Sequence, residues 1–364
     1  MPHRQRKLVY TFRLTQQAFL SPYYFRNLIL HIKWRWGMRN RNLATLMVSL
    51  LTTVIFTVGN AVAKDFRLSH SFELSHPMHI ASVEAAEFFK TCTGGQHTIT
   101  IYPASQLGSE TSQNQLIRAG GLDILLTGVS FQYSVYKPIA IVGAPFIFTD
   151  RAQAVRYRTS PLFREVWTNY EKQTGSVIMS AGYFGAFNVT SNTPLEKLED
   201  FRGFKVRVPD SPVYLAFPKA LGANASPITL AEVYIALQNG TVSGSANPLP
   251  MTYAFKFYEV QKYVNPTAHM HEYILWLTHG PMVKGLDASD RDCMQKAADI
   301  FAERSTAMII DQEENLRAKM ESEKLIKFSN PDIVALRKAA APTVEELAKQ
   351  FGVSQDFLLR LKGI

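Results

Sequence analysis

Phe204-Lys205-Val206-Arg207-Val208-Pro209 reads as a short strand stopped by proline, and it decides the organisation of the chain around it. Side chains on a strand alternate between faces. Phe204, Val206 and Val208 therefore share one face, and Lys205 and Arg207 share the other. The strand leads into a helical stretch, Leu230–Gln238, then into Gly244-Ser245-Ala246-Asn247-Pro248 and Tyr258-Glu259-Val260-Gln261-Lys262-Tyr263. A guanidinium on a rigid strand can grip a carboxylate through two parallel hydrogen bonds. Arg207 is the candidate for that role, against the ordinary alternative of a solvated or acid-paired surface arginine.

Strand and helix alternate on both sides of this stretch. Upstream, Asp65–Ser71 reads as a strand, and Ser75-His76-Pro77 as a helix start, with proline suited to the first helical position. Apolar residues then recur at helical spacing at Ile80, Ala81, Ala85, Phe88 and Phe89, and Thr93-Gly94-Gly95 closes the helix. His97–Tyr102 is a strand, Thr111–Ala119 a helix and Leu122–Leu126 a buried strand. Further along, Val177–Ala181 is a strand and Asn188–Thr190 a separate short one. Thr229-Leu230-Ala231-Glu232 has the spacing of a capping box. A long helix is expected from Ser289-Asp290 to about Lys324, then helices over Val344–Phe351 and from Ser354. The alternation predicts an α/β fold with a largely parallel sheet, whose ligands settle outside the carboxyl ends of strands. Two such lobes without a Pro-rich linker imply that the chain crosses between them more than once.

The net charge of +9 suggests nucleic acid until its distribution is read. Residues 1–63 hold nine Lys and Arg and no Asp or Glu; the rest has 30 basic and 30 acidic residues. A phosphate-tracking surface on the body is therefore disfavoured. The N-terminal segment instead has the pattern of a cleavable export signal. Arg39 and Arg41 precede the uncharged run Leu43–Gly59, and Ala61-Val62-Ala63 is a small-x-small cleavage site. Such signals start near the initiator methionine, which points to Met38 as the start of translation. Cys92 and Cys293 suit an oxidising compartment, but nothing in the sequence brings them together, and two separate buried thiols are the favoured expectation.

Catalytic constellations are scarce. The chain has no Gly-x-Ser-x-Gly elbow, no phosphate-cradling glycine loop and no H-E-x-x-H, so no cofactor and no metal is expected. His269-Met270-His271-Glu272 places two histidines on one strand face without a third ligand in view. His70, His76 and His79 form a looser group, of which His70 ends a strand where a cleft is plausible.

Taken together, the blocks Tyr102-Pro103-Ala104-Ser105-Gln106-Leu107-Gly108, Ala144-Pro145-Phe146-Ile147-Phe148, Gly203–Pro209, Ala220–Asn224, Glu232–Gly240, Asn247-Pro248 and Phe257–Tyr263 resemble the solute-binding proteins of tripartite ATP-independent periplasmic (TRAP) transporters, the DctP family. The resemblance runs from Asp65 to the C-terminal helices. It implies a two-lobed, Venus-flytrap periplasmic binding protein with a long helix spanning both lobes. On that reading residues 64–185 and about 273–312 form lobe I, and about 186–272 and 313–364 form lobe II. It implies that Arg207 is the carboxylate clamp, that Asn247 adds a polar contact, and that the partners are a small organic acid and integral membrane subunits. Glu110 and His70 complete the expected polar lining, with Phe187 and Trp276 as apolar or stacking walls. Phe187 stands where many relatives carry a second arginine, and Ser243-Gly244-Ser245-Ala246 replaces an acid-containing segment, which favours a monocarboxylate over a dicarboxylate. A periplasmic sensory module would share fold and clamp; an exported enzyme is disfavoured by the missing nucleophile–base pair.

Overall fold

The computed structural model describes residues 63–364. The export signal and the start at Met38 lie outside the described residues. The first part alternates β1 (Lys64–Ser69), α1 (Pro77–Cys92), β2 (His97–Tyr102), α2 (Glu110–Arg118) and β3 (Ile124–Gly128). β1 lies between β2 and β3, parallel to both. The imidazole of His76 accepts the Met78 N–H at the start of α1, and Pro77 occupies the first turn, where its missing N–H costs nothing. Ala81, Ala85 and Phe89 are fully buried as their spacing predicts, while Ile80, at the edge of that face, is 39% exposed.

Two short 3₁₀ segments, Val129–Ser134 and Lys137–Gly143, lead to α3 (Arg151–Arg158), α4 (Pro161–Thr174) and β4 (Val177–Ser191). β4 is one strand of 15 residues, so the two pieces expected at Val177–Ala181 and Asn188–Thr190 are continuous. Its intervening Gly185 and Ala186 obscure the strand pattern. A bulge between Tyr183 and Gly185 turns the strand. Gly185 has φ of +115°, and a Cβ there would sit 3.1 Å from both Glu313 Oε1 and Pro248 Cβ, so glycine is required on two counts.

The chain continues through β5 (Lys205–Val208), α5 (Ala216–Ala220), β6 (Asn224–Pro227), α6 (Val233–Gln238), β7 (Gly244–Pro248), α7 (Leu249–Ala254), β8 (Tyr263–Asn265) and β9 (His271–Thr278). β5 lies between β6 and β7, parallel to both. The expected capping box does not form: Thr229 Oγ1 donates to the Glu232 carboxylate at 2.6 Å, and Leu230–Glu232 is a 3₁₀ turn ahead of α6. After α8 (Gly280–Lys284) come α9 (Ala288–Ser322), β10 (Lys327–Phe328), α10 (Ile333–Phe351) and α11 (Gln355–Lys362). α10 starts eleven residues before the expected Val344, because Pro342 sits inside it and masks the continuity.

The main strand order is β2-β1-β3-β9-β4-β7-β5-β6, with β8 joined to β4 and β10 to β8. The sheet is mixed rather than largely parallel. β9 returns from the second half of the chain, enters between β3 and β4 and runs antiparallel to both. β4 then passes into the other half, pairing with β7 and β8 beyond the bulge. α9, 35 residues long, also serves both halves. Its first half packs on β4 and α1, where Ser180 Oγ donates to Ala298 O and Arg304 pairs with Glu84. Its last turns place Leu316 and Met320 in a cluster with Leu249, Val264 and Ile326. Between them, Glu313 accepts the Ala186 N–H at 2.6 Å beside the bulge.

Cys92 and Cys293 form a disulfide, which corrects the expectation of separate thiols; their Cα atoms are 5.8 Å apart although 201 residues separate them in sequence. The end of α1 and the first turns of α9 meet only in the tertiary fold, so spacing carried no sign of it. Cross-linking over so long a loop restricts the unfolded chain strongly. Cys293→Ser is expected to lower stability by about 2–5 kcal/mol, read as a lower denaturant midpoint at neutral pH. Two alkylatable thiols in the unreduced, denatured protein would show that the bond does not exist.

Candidate functional site

A cavity of about 290 Å³ opens between the two halves. Ser71, Phe72, Glu110, Gly128 and Phe131 face it from the first half, and Arg207, Tyr214, Asn247 and Met251 from the second. Phe184, Phe187, Glu272 and Ile274 face it from the shared strands β4 and β9, and Ser105, Ser109, Thr111, Asp210, Thr229 and Glu232 are among the polar residues that also line it. Most of this wall is apolar, with a few convergent polar groups, as in small-molecule sites generally.

Arg207 is the centre of the site. It projects from β5 and is only 3% exposed, whereas Lys205 on the same face is exposed. Its Nε donates to Ile228 O at 2.9 Å and its Nη1 to Asn247 Oδ1 at 3.1 Å. Asn247 is oriented in turn by donating from Nδ2 to Ser245 Oγ at 2.7 Å. No carboxylate lies within ion-pair distance of the guanidinium, and nothing accepts from Nη2, among the described residues. Burial pulls the group down to about 10, with Tyr214 and Glu110 acting against it, so it stays cationic at neutral pH. A buried cation with a free donor edge is costly unless an anion completes it.

Glu110 opens α2. Its Oε1 accepts from Thr127 Oγ1 at 2.8 Å and from the Gly128 N–H at 2.7 Å. Gly128 permits this crowding: a Cβ there would lie 3.3 Å from both Phe131 and the Tyr214 hydroxyl, and 3.7 Å from Glu110 Oε1. Burial raises the Glu110 carboxyl above its usual range, while its hydrogen bonds and Arg207 pull the other way. Phe187 lines the cavity with its ring 5.6 Å from that of Tyr214.

Two expected lining residues lie elsewhere. His70 is fully buried behind the wall. Its Nδ1 accepts the Phe72 N–H and its Nε2 meets His79 Nδ1, each at 3.1 Å, so the ring shapes the loop that carries Ser71 and Phe72. Burial, with His79 and His76 adding to it, pushes this imidazole down to about 3 and keeps it neutral. Trp276 shares the face of β9 with Glu272 and Ile274 but sits deeper, under α9, with its ring 5.5 Å from Phe301. His269 and His271 engage different partners. His269 stacks on Phe217 at 3.9 Å and His271 Nδ1 lies 2.9 Å from the Tyr183 hydroxyl. Among the described residues no group of three acidic, His or Cys side chains is placed to hold a metal.

Glu272 and Tyr214 are among the lining residues that the sequence reading did not assign to the site. Glu272 is fully buried. Its Oε2 accepts from Ser130 Oγ at 2.5 Å and from the Tyr214 hydroxyl at 2.9 Å, and its Oε1 accepts the Tyr273 N–H at 3.0 Å. Burial pushes it up to about 7 against those three bonds, and Glu110 raises it further. The signal was available: one acid beside the apolar run Tyr273–Leu277 needs a buried partner. Tyr214 follows a proline turn and carries no periodic cue. Because the tyrosine hydroxyl stabilises the charged carboxylate, Tyr214→Phe should move the Glu272 titration above about 7. Carboxyl-carbon NMR across a pH series reads this directly; an unmoved or lowered titration would show that the bond does not govern the carboxylate.

Residues 68–350 match the family described as bacterial extracellular solute-binding protein, family 7. The chain is 28% identical over 312 residues to the sialic acid-binding periplasmic protein of Vibrio cholerae, which covers 84% of this chain and 96% of that one. It is 23% identical over 294 residues to the 2,3-diketo-L-gulonate-binding periplasmic protein of Escherichia coli, covering 80% and 89% of the two chains. A TRAP periplasmic solute-binding protein of Roseobacter denitrificans, solved with bound L-galactonate, superposes with a TM-score of 0.74 at 26% identity, over 82% of this chain and 97% of that one. One from Polaromonas, bound to D-erythronate, has a TM-score of 0.78 at 21% identity, over 83% and 99%. The fold is thus the two-lobed one of these receptors, α9 being its long helix, and the chain belongs to the family 7 extracellular solute-binding proteins, the DctP family of TRAP transporter receptors.

Proposed function

We propose that this receptor captures a small organic monocarboxylate in the cavity and delivers it, in the periplasm, to the membrane subunits of a TRAP transporter. One observation carries the reading: a buried guanidinium, fixed on two sides by Ile228 O and Asn247 Oδ1, turns a free donor edge to an otherwise mostly apolar cavity. A carboxylate is the group that matches this edge in charge and geometry. A single arginine, with Phe187 rather than a second cation in the cavity wall, favours one carboxylate over two. Sialic acid, diketogulonate, galactonate and erythronate, the ligands named for its relatives, are all acids. The family is one of solute receptors rather than enzymes.

In this reading residues 64–185 and about 273–312 move as lobe I, and about 186–272 and 313–364 as lobe II. The supporting features are the bulge of β4 at Gly185, the entry of β9 at His271 and the Glu313 contact on α9. α11 qualifies the boundary, because it docks on α3 and α4 through the Arg360–Glu165 pair and the Gln153 bond to Leu361 O. Closure around the acid excludes water and strengthens its pairing with Arg207 as the local dielectric falls. Export by the signal in residues 1–63 completes the proposal.

Arg207→Ala should weaken binding of the captured acid by about 3–5 kcal/mol, a hundred- to several-thousand-fold change in affinity. Calorimetric titration measures it; a loss under tenfold would remove Arg207 from the clamp. Asn247→Asp supplies an internal counter-ion 3.1 Å from Nη1. It should weaken anion binding by about tenfold or more while the unliganded protein melts at the same or a higher temperature. Unchanged affinity in that variant would count against an anionic ligand.

A further inference from the structure

The cavity carries more negative charge than the Arg207 clamp accounts for, one glutamate fully buried and one half-buried. Glu110 and Glu272 both line it, on α2 and β9, and Tyr214 lies between them: its hydroxyl bonds Glu272, and a Cβ on Gly128 would contact both that hydroxyl and Glu110. Neither glutamate has an ion-pair partner among the described residues. Glu272 has its three hydrogen bonds, but both bonds to Glu110 fall on Oε1, leaving Oε2 without a donor. A ligand offering only a carboxylate and an apolar body would put a third negative charge beside these two and leave that oxygen unmet. The low-dielectric site makes such an arrangement unfavourable. The rest of the wall limits what the missing donor is. Phe72, Phe131, Phe184, Phe187 and Tyr214 give the same cavity ring surface, beside the hydroxyls of Ser71, Ser105, Ser109 and Thr111. Ligand hydroxyls have partners there, but a cation is attracted both by the carboxylates and by ring faces.

We propose that the cavity is built for a zwitterion, with its carboxylate on Arg207 and Asn247 and a cationic nitrogen on the same molecule between Glu110 and Glu272, against the rings of Phe187 and Tyr214. The inference rests on the receptor reading above and names its ligand class. With Arg207 at +1 and each glutamate at −1, a plain carboxylate leaves the site at −2 and a zwitterion leaves it at −1, so among carboxylate ligands the added cationic centre brings the site nearer to balance.

Isosteric pairs separate the nitrogen from shape. Glycine betaine and 3,3-dimethylbutanoate differ only in a quaternary nitrogen replacing a carbon; pipecolate and cyclohexanecarboxylate differ by a ring nitrogen. Calorimetric titration of the folded receptor with these four acids and with gluconate should show at least one zwitterion binding about tenfold or more tightly than its isostere and than gluconate. Glu110→Gln and Glu272→Gln should each erode that margin, and the double variant should reverse it by relieving repulsion of the plain anion. The single variant at Glu110 keeps the test open if loss of the Ser130–Glu272–Tyr214 network impairs folding. Equal or tighter binding of the isosteres or of gluconate overturns the zwitterion while leaving the carboxylate clamp intact. Binding of none of the five acids overturns the zwitterion assignment, and binding that survives Arg207→Ala overturns the clamp itself.

Discussion

The cost of burying one positive charge without a counter-ion organises this molecule. Arg207 is withdrawn from water, yet the surrounding chain gives it only two neutral acceptors, Ile228 O and Asn247 Oδ1. An isolated buried ion is costly, and pairing it inside the fold would remove that cost. The fold instead fixes its direction. β5 sits between β6 and β7, and β7 carries Asn247 beside it, with Ser245 holding the amide. The guanidinium is therefore rigid before any ligand arrives, and little rotamer freedom is left to lose on binding.

The same cleft depends on elements that belong to both halves. β4 and β9 run together through the molecule and supply Phe184, Phe187, Glu272 and Ile274 to its floor. α9 braces them from behind, with Trp276 beneath Phe301 near its middle and Glu313 on the Ala186 N–H farther towards its C-terminal end. Such a frame concentrates freedom where regular pairing is interrupted, at the Tyr183–Gly185 bulge, and leaves the floor of the site stiff. The disulfide between α1 and α9 holds the first half to the start of that brace.

How much of this was legible in the sequence follows the range of the interactions. Local patterns were readable: β2 at His97–Tyr102, the α9 boundaries, and the alternation that separates Arg207 from Val206 and Val208. Arg207, Asn247, Phe187 and Glu110, singled out through the family resemblance, all line one cavity; their part in ligand binding is the proposal made above. Pairings between distant segments were not readable. The antiparallel insertion of β9, the Cys92–Cys293 bond and the meeting of Tyr214 with Glu272 join parts of the chain 58 to 201 residues apart. His70 and Trp276 were misplaced for a related reason: periodicity gives the face of a strand but not the depth at which another element covers it.

The contacts between the halves divide by what they need from a ligand. Ser211 Oγ donates to Ser130 O at 2.7 Å, and the Tyr214 hydroxyl and Ser130 both donate to Glu272. These bonds join the segment after β5 to the segment after β3 and are complete within the protein. A ligand shifts a conformational balance only through its preference for one state. Contacts that are already satisfied help define the closed geometry, but they cannot report whether the cavity is filled. The groups left short are Arg207 Nη2 and Glu110 Oε2, one contributed from β5 and the other from α2. Under the proposed function, a molecule that satisfies both would favour the closed arrangement more than one that satisfies either alone. On that proposal, discrimination and closure rest on the same pair of unfilled valences.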